Sequence, residues 1–229
     1  MSTFKTEALV LTKKPLRVAD RLYILYTRHY GKVEAKVRSA ARSQSKLAGH
    51  LEPFCISSVM IAKGRELETI AGAKLIKNFS FTDFKIQSLA NLASDLVNRL
   101  IKPAWPQQEI YQLLESFLAV LERQDLLLQK QKVKDFNYTG LYLLSLRFIW
   151  QMLIYLGYKI NLEQKEKGTL PTLTSAGKKL LTDCLKEKNE LTILQSSSKV
   201  VRELVNFTQE YLRYFLESDL KSFYLSFYA

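Results

Sequence analysis

Apolar and polar residues change period near residue 81. Before that point the apolar runs are short. Residues 8–11 and 22–27 are apolar or aromatic, and residues 32–38 alternate, with Val33, Ala35 and Val37 facing one way and Lys32, Glu34, Lys36 and Arg38 the other. That alternation predicts a half-buried strand with a basic outer face. His29, Tyr30 and Gly31 form the turn before it, the glycine admitting positive φ. Residues 54–62 and 66–70 predict another strand pair around Lys63, Gly64 and Arg65. Five short strands in 1–80 suit a small barrel, because closure removes the exposed edges of a flat sheet. An OB-type barrel is the first expectation and an SH3-like barrel the other candidate.

After residue 81 the period becomes helical. Ile86, Leu89, Ala90, Ala93, Leu96, Val97 and Leu100 recur at three- and four-residue steps, with Asp83 as N-cap and Pro103 as the stop. A second amphipathic helix follows Pro106, from Ile110 through Leu121. Residues 141–158 are almost continuously apolar, yet Arg147 near their middle would cost about 3 kcal/mol in a bilayer, so they predict a buried central helix from Thr139 to Gly157. Residues 159–173 predict a loop. Thr174 or Ser175 caps a helix with Leu180, Leu181, Cys184 and Leu185 inward, and residues 196–198 precede a last helix through Val201, Leu204, Val205, Tyr211 and Leu212. The expected fold is α+β: an N-terminal small β-barrel (OB-fold), residues 1–80, packed against an all-helical C-terminal domain, residues 81–229.

Charge sharpens this division. The chain carries +12, and residues 1–80 hold 15 basic and 6 acidic side chains, a net of +9, against 19 and 16 in residues 81–229. That asymmetry is the footprint of a nucleic-acid module on a more neutral body. Cys55 and Cys184 are isolated, which argues against a disulfide framework or a zinc site and fits a reducing cytoplasm. The first twelve residues lack the apolar core of a signal peptide.

Enzymatic signatures are absent from the sequence: it contains no Gly-x-x-x-x-Gly-Lys-Ser/Thr loop, no Gly-x-Gly-x-x-Gly, no Gly-x-Ser-x-Gly and no His-Glu-x-x-His. No catalytic residue, metal ligand or cofactor is expected. His29 and His50 read as solvated polar residues, and Glu66 and Glu68, on one strand face, as salt-bridge partners. What the sequence offers is a basic loop, residues 38–49, with Arg38, Arg42 and Lys46 at four-residue spacing among Ser39, Ser43 and Ser45. Cations there neutralise phosphates and hydroxyls donate to them. Lys13, Lys14 and Arg17 extend the track on one side, and Lys63 and Arg65 on the other. Of the interleaved aromatics Tyr23, Tyr26, Tyr30 and Phe54, Phe54 reads as core and Tyr30 as the best ring for base stacking.

These residues also carry a family likeness. A-L-V-L at 8–11, D-R-L-Y-I-L-Y-T-R-H-Y-G-K at 20–32, A-K at 35–36 and S-K-L-A-G-H-L-E-P-F at 45–54 resemble the N-terminal OB-fold of the RecO family of DNA repair proteins. L-R-F and L-I-Y-L-G-Y within 146–158, and L-K-S-F at 220–223, resemble its helical domain. The resemblance implies a non-catalytic cytoplasmic, nucleoid-associated protein of recombinational repair. It implies binding of single- and double-stranded DNA, annealing of complementary strands, and help in loading recombinase onto DNA covered by single-strand-binding protein, with RecR as a partner and no membrane. Ser39 stands where the family usually has glycine and Ala41 where arginine is common. Residues 159–172 lack the cysteines with which many relatives bind zinc, so zinc is not carried over. Arg147 has two readings: an internal ion pair, or a partner-binding position at the edge of an apolar groove that receives the acidic, apolar-ended C-terminal tail implied for single-strand-binding protein. A metal-dependent nuclease and an RNA-binding scaffold are the competing classes.

Overall fold

Alternation in the first third of the chain becomes five strands: β1 (Thr3–Pro15), β2 (Arg21–Thr27), β3 (Gly31–Val37), β4 (Cys55–Ala62) and β5 (Glu68–Asn78). The computed structural model describes residues 2–42, 44–131, 136–158, 171–186 and 196–228. Two compact units divide the chain, one formed by residues 1–80 and 94–115, the other by residues 81–93 and 116–229.

In the first unit β1 serves two neighbours. Its first half pairs with β4 (Thr3↔Ala62 to Leu9↔Ile56) and its second half with β2 (Ala8↔Thr27 to Pro15↔Arg21), with a bulge between Val10 and Thr12. Such a bulge bends a strand and lets one ribbon take part in both sides of a barrel. The order β1-β2-β3-β5-β4 closes on itself, and the closing step is a short parallel pair, Ala35↔Glu68 and Lys36↔Thr69. This is the OB order, which settles the choice against an SH3-like barrel. Ala8, Val10, Tyr23, Leu25, Ala35, Val37, Leu51, Val59, Ile61 and Ile70 fill the interior. Full burial of each aliphatic side chain contributes roughly 1.5–3 kcal/mol.

Several strand expectations change. β1 and β5 are longer than predicted, and Glu66 lies in the 63–67 connection rather than on a strand with Glu68. Tyr23 and Tyr26 are both buried, and Phe54 is buried as its core reading predicts. Lys32, expected on a solvated face, is buried as well. The cause is residues 94–115 of the same unit, which cover the outer face of the β2–β3 hairpin near its turn. There the Tyr26 hydroxyl donates to the Gln107 carbonyl (3.1 Å), the Lys32 ammonium donates to the Asn98 carbonyl (2.5 Å), and the Ala104 N–H donates to the Lys32 carbonyl (3.1 Å). Gly31 (φ +69°) permits this approach, since a Cβ there would sit 2.5 Å from the Trp105 backbone carbon. Burial holds the Lys32 amine below its ordinary pKa and pushes the Tyr26 phenol up to about 12.

Among the described residues six helices follow the strands: α1 (Phe84–Leu100), α2 (Gln108–Gln131), α3 (Thr139–Tyr155), α4 (Ser175–Leu185), α5 (Ser198–Leu216) and α6 (Lys221–Phe227). Asp83 caps α1 as predicted, accepting from the Ile86 N–H at 2.9 Å, and the Thr174 hydroxyl caps α4 through the Gly177 N–H at 3.1 Å. In the second unit α3 is buried almost all round, as its unbroken apolar run predicts. Its polar side chains pin its neighbours: the Trp150 indole N–H donates to Thr208 Oγ1 on α5 (3.1 Å), and the Gln151 amide donates to the Cys184 and Lys186 carbonyls at the end of α4 (2.8 and 3.1 Å). These bonds satisfy carbonyls that the helix end leaves without partners. Among the described residues no helix is long and apolar enough to cross a membrane. Of the loop expected at 159–173, residues 159–170 lie outside the described residues.

Candidate nucleic-acid interface

The β1–β2 connection, residues 16–20, is closed at its base by the Leu16 N–H donating to the Asp20 carbonyl at 3.2 Å. Two further bonds tie it to the segment leaving β3: the Asp20 carboxylate accepts from the Ser39 N–H at 2.9 Å, and the Ala19 carbonyl accepts from the Ala41 N–H at 2.9 Å. Ser39 holds φ +54°, a left-handed conformation that glycine adopts without cost. Here a serine holds that conformation with its N–H bonded to the Asp20 carboxylate. Consecutive turns then carry the chain onward, with Arg42 N–H to the Ser39 carbonyl (3.1 Å) and Ser45 N–H to the Arg42 carbonyl (3.0 Å). Ser43 lies outside the described residues.

The result is one basic end of the barrel. Lys14 and Arg17 on one side of these bonds, and Arg38, Arg42 and Lys46 on the other, are all exposed. No ion pair joins them to a carboxylate among the described residues. Lys13 differs, because its ammonium pairs with the Glu52 carboxylate. The strand register adds Arg21 and Lys36, half-buried at the same end of the β2–β3 ladder (Arg21↔Val37, Leu22↔Lys36). The alternation of residues 32–38 already contained the signal for Lys36. Arg21 gave none, since it precedes the apolar run.

The rest of the predicted track lies on a second connection, which enters β5 beside β3 (Ala35↔Glu68, Lys36↔Thr69). Lys63 and Arg65 are exposed on the 63–67 connection, whose Lys63 N–H donates to the Ser2 carbonyl (3.0 Å), at the opposite end of β1 from Lys14. Tyr30 lies in the β2–β3 turn, at the far end of β2 from Arg21. Its ring is exposed but already packs on Phe4, with centroids 4.3 Å apart.

Arg147, in the second unit, is 1% exposed. Its charge lies close enough to Cys184 to oppose the effect of burial, which pushes that thiol up to about 12. The guanidinium is thus enclosed among the helices and does not line an open groove. A cavity of about 420 Å³ occurs elsewhere in this unit, between α5 and α6, lined by Leu220, Tyr224, Leu225, Lys221 and Gln209 and by Arg213, whose guanidinium is paired with Asp219, also in the lining. Among the described residues no three His, Cys, Asp or Glu side chains gather as metal ligands.

Residues 1–79 match the family described as Recombination protein O N terminal. Over much of its length the chain is also similar to proteins named DNA repair protein RecO. A protein of Desulforamulus reducens named DNA repair protein RecO is 28% identical over 145 residues, 62% of this chain and 57% of its own length. A Dehalococcoides mccartyi protein of the same name is 27% identical over 230 aligned positions, 96% of this chain and 81% of its own. A third RecO protein, from Desulforudis audaxviator, is 33% identical over 125 residues, covering 54% of this chain and about half (49%) of the relative. The RecO match coincides with the barrel, so the basic end built by residues 14–46 falls wholly within it.

Proposed function

We propose that this protein is a DNA-binding mediator of recombinational repair, and that it grips DNA by its phosphates at the basic end of the barrel. The observation that carries the reading is the bonding of the 16–20 loop to residues 39–41, which makes one fixed surface of Lys14, Arg17, Arg38 and Arg42. A loop whose backbone is already held has less freedom to lose when its cations displace the counterions of a polyanion, so more of the electrostatic gain is realised as affinity. In this reading the protein anneals complementary single strands and helps load recombinase onto DNA covered by single-strand-binding protein, with RecR as a partner. The match of residues 1–79 to the RecO N-terminal family and the names of the relatives support that role. In this reading the acidic, apolar-ended tail of single-strand-binding protein docks at the α5–α6 cavity, where Leu220, Tyr224 and Leu225 would take the apolar end and Lys221 the carboxylates, Asp219 being neutralised by Arg213. Arg147 would then be a structural residue.

The test is a fluorescence-anisotropy titration of single- and double-stranded oligonucleotides, with an annealing assay on complementary strands. Reversing Arg38, Arg42 and Lys46 together to glutamate is expected to weaken DNA binding at least about tenfold and to flatten its salt dependence. Unchanged binding in that variant would remove the loop from the site. For the tail, Lys221→Glu is expected to weaken a tail peptide while Arg147→Ala lowers stability instead.

A further inference from the structure

The basic end of the barrel has an apolar point. Val18, at the tip of the 16–20 loop, is fully exposed, and Leu16 beside it is 39% exposed. An exposed valine needs no explanation when it stands alone on a surface. Here it crowns a five-residue loop whose base is closed by the Leu16 to Asp20 bond and whose far side is held by the bonds at Ala19 and Asp20. Lys14, Arg17, Arg38 and Arg42 belong to the same anchored pair of segments. A side chain so held cannot fold back to hide its methyl groups.

We propose that Val18, backed by Leu16, contacts the bases of a single strand whose phosphates lie on Lys14, Arg17, Arg38 and Arg42, so that this loop makes the site prefer single strands to duplex. The proposal rests on the DNA-binding reading above and deepens it. The surrounding cations select a polyanion, and an apolar point among them selects one with apolar faces between its charges. Unpaired bases present such faces to any side chain that reaches past the backbone, whereas a duplex stacks them away. Apolar wedges flanked by cations also open base steps in bent duplexes, which would appear as an equal effect on both substrates.

The experiment compares wild type, Val18→Ser and Arg17→Glu/Arg42→Glu on a single-stranded oligonucleotide carrying 2-aminopurine and on its duplex, with melting temperatures alongside. Val18→Ser keeps every cation and removes no buried contact, so its melting temperature and salt slope are expected to match wild type. Its affinity for the single strand is expected to fall about five-fold, and its 2-aminopurine response to shrink, while duplex affinity holds. Equal loss on both substrates, or no loss on either, would overturn the proposal while leaving phosphate binding intact. Loss of neither substrate in the double charge reversal would instead overturn the DNA site itself. Vesicles containing anionic lipid form the last arm: wild-type binding that Val18→Ser abolishes would make the tip a membrane anchor and overturn the base contact.

Discussion

Asp125 shows how one carboxylate holds the start of a helix. It accepts from the Thr82 N–H (3.0 Å) and hydroxyl (3.0 Å), the Asp83 N–H (2.8 Å) and the Gln129 amide (2.8 Å). Burial pushes its pKa up, but these four donors together outweigh burial and hold it below its ordinary 3.8. A depressed folded pKa means that the contribution to stability is complete above about pH 5 and is lost as pH falls through the folded value. Asp125→Asn is expected to cost about 2 kcal/mol at neutral pH, and the gap from wild type should close as pH drops below about 4 in urea-unfolding series. Ser39 predicts the opposite sign. Its left-handed φ of +54° is strained for any residue with a Cβ, so Ser39→Gly is expected to raise stability by about 0.5–1 kcal/mol, read as a higher melting temperature.

At the scale of the element, the joined loops separate two physical causes that usually act together. Asp20 is an acidic residue at a site for a polyanion, so charge alone predicts that Asp20→Ala raises DNA affinity. Its carboxylate also holds the Ser39 N–H, so loss of anchoring predicts the reverse. We expect anchoring to win, with affinity several-fold lower in Asp20→Ala at equal salt; a gain would show that the loops need no such fixing. The sequence made the β2–β3 hairpin and the central helix legible, because period and turn chemistry agree there. It misled at Lys32, whose place in an alternating strand reads as solvated until residues 94–115 cover it, a contact that no local pattern encodes. The far half of β5 escaped for another reason. Residues 74–78 are exposed on both faces, and a stretch with no buried face has no alternation to read. In the candidate site the basic loop was legible from composition, while its union with the β1–β2 connection depends on backbone bonds between segments some 20 residues apart.

For the molecule as a whole, +9 of the +12 net charge lies in residues 1–80, so binding to DNA is expected to weaken steeply with salt. On single strands the slope of log K against log salt should be about −0.7 for each phosphate neutralised, or roughly −3 for four contacts. A slope near zero would leave no role for the basic end. The same chain is expected to hold no structural zinc: Cys55 and Cys184 lie in different units, and among the described residues no three His, Cys, Asp or Glu side chains gather around either. Elemental analysis should find well under one zinc per chain, and a chelator should leave the melting temperature unchanged. The cover that residues 94–115 lay over the hairpin bears on how this protein is cut for use. A fragment ending at residue 80 would strip Tyr26 of its shelter and set a bare aromatic face beside a freed ammonium, which invites self-association in the test tube. The barrel is therefore not separable at the end of its last strand, because the part that folds as strands is smaller than the compact unit that residues 94–115 complete.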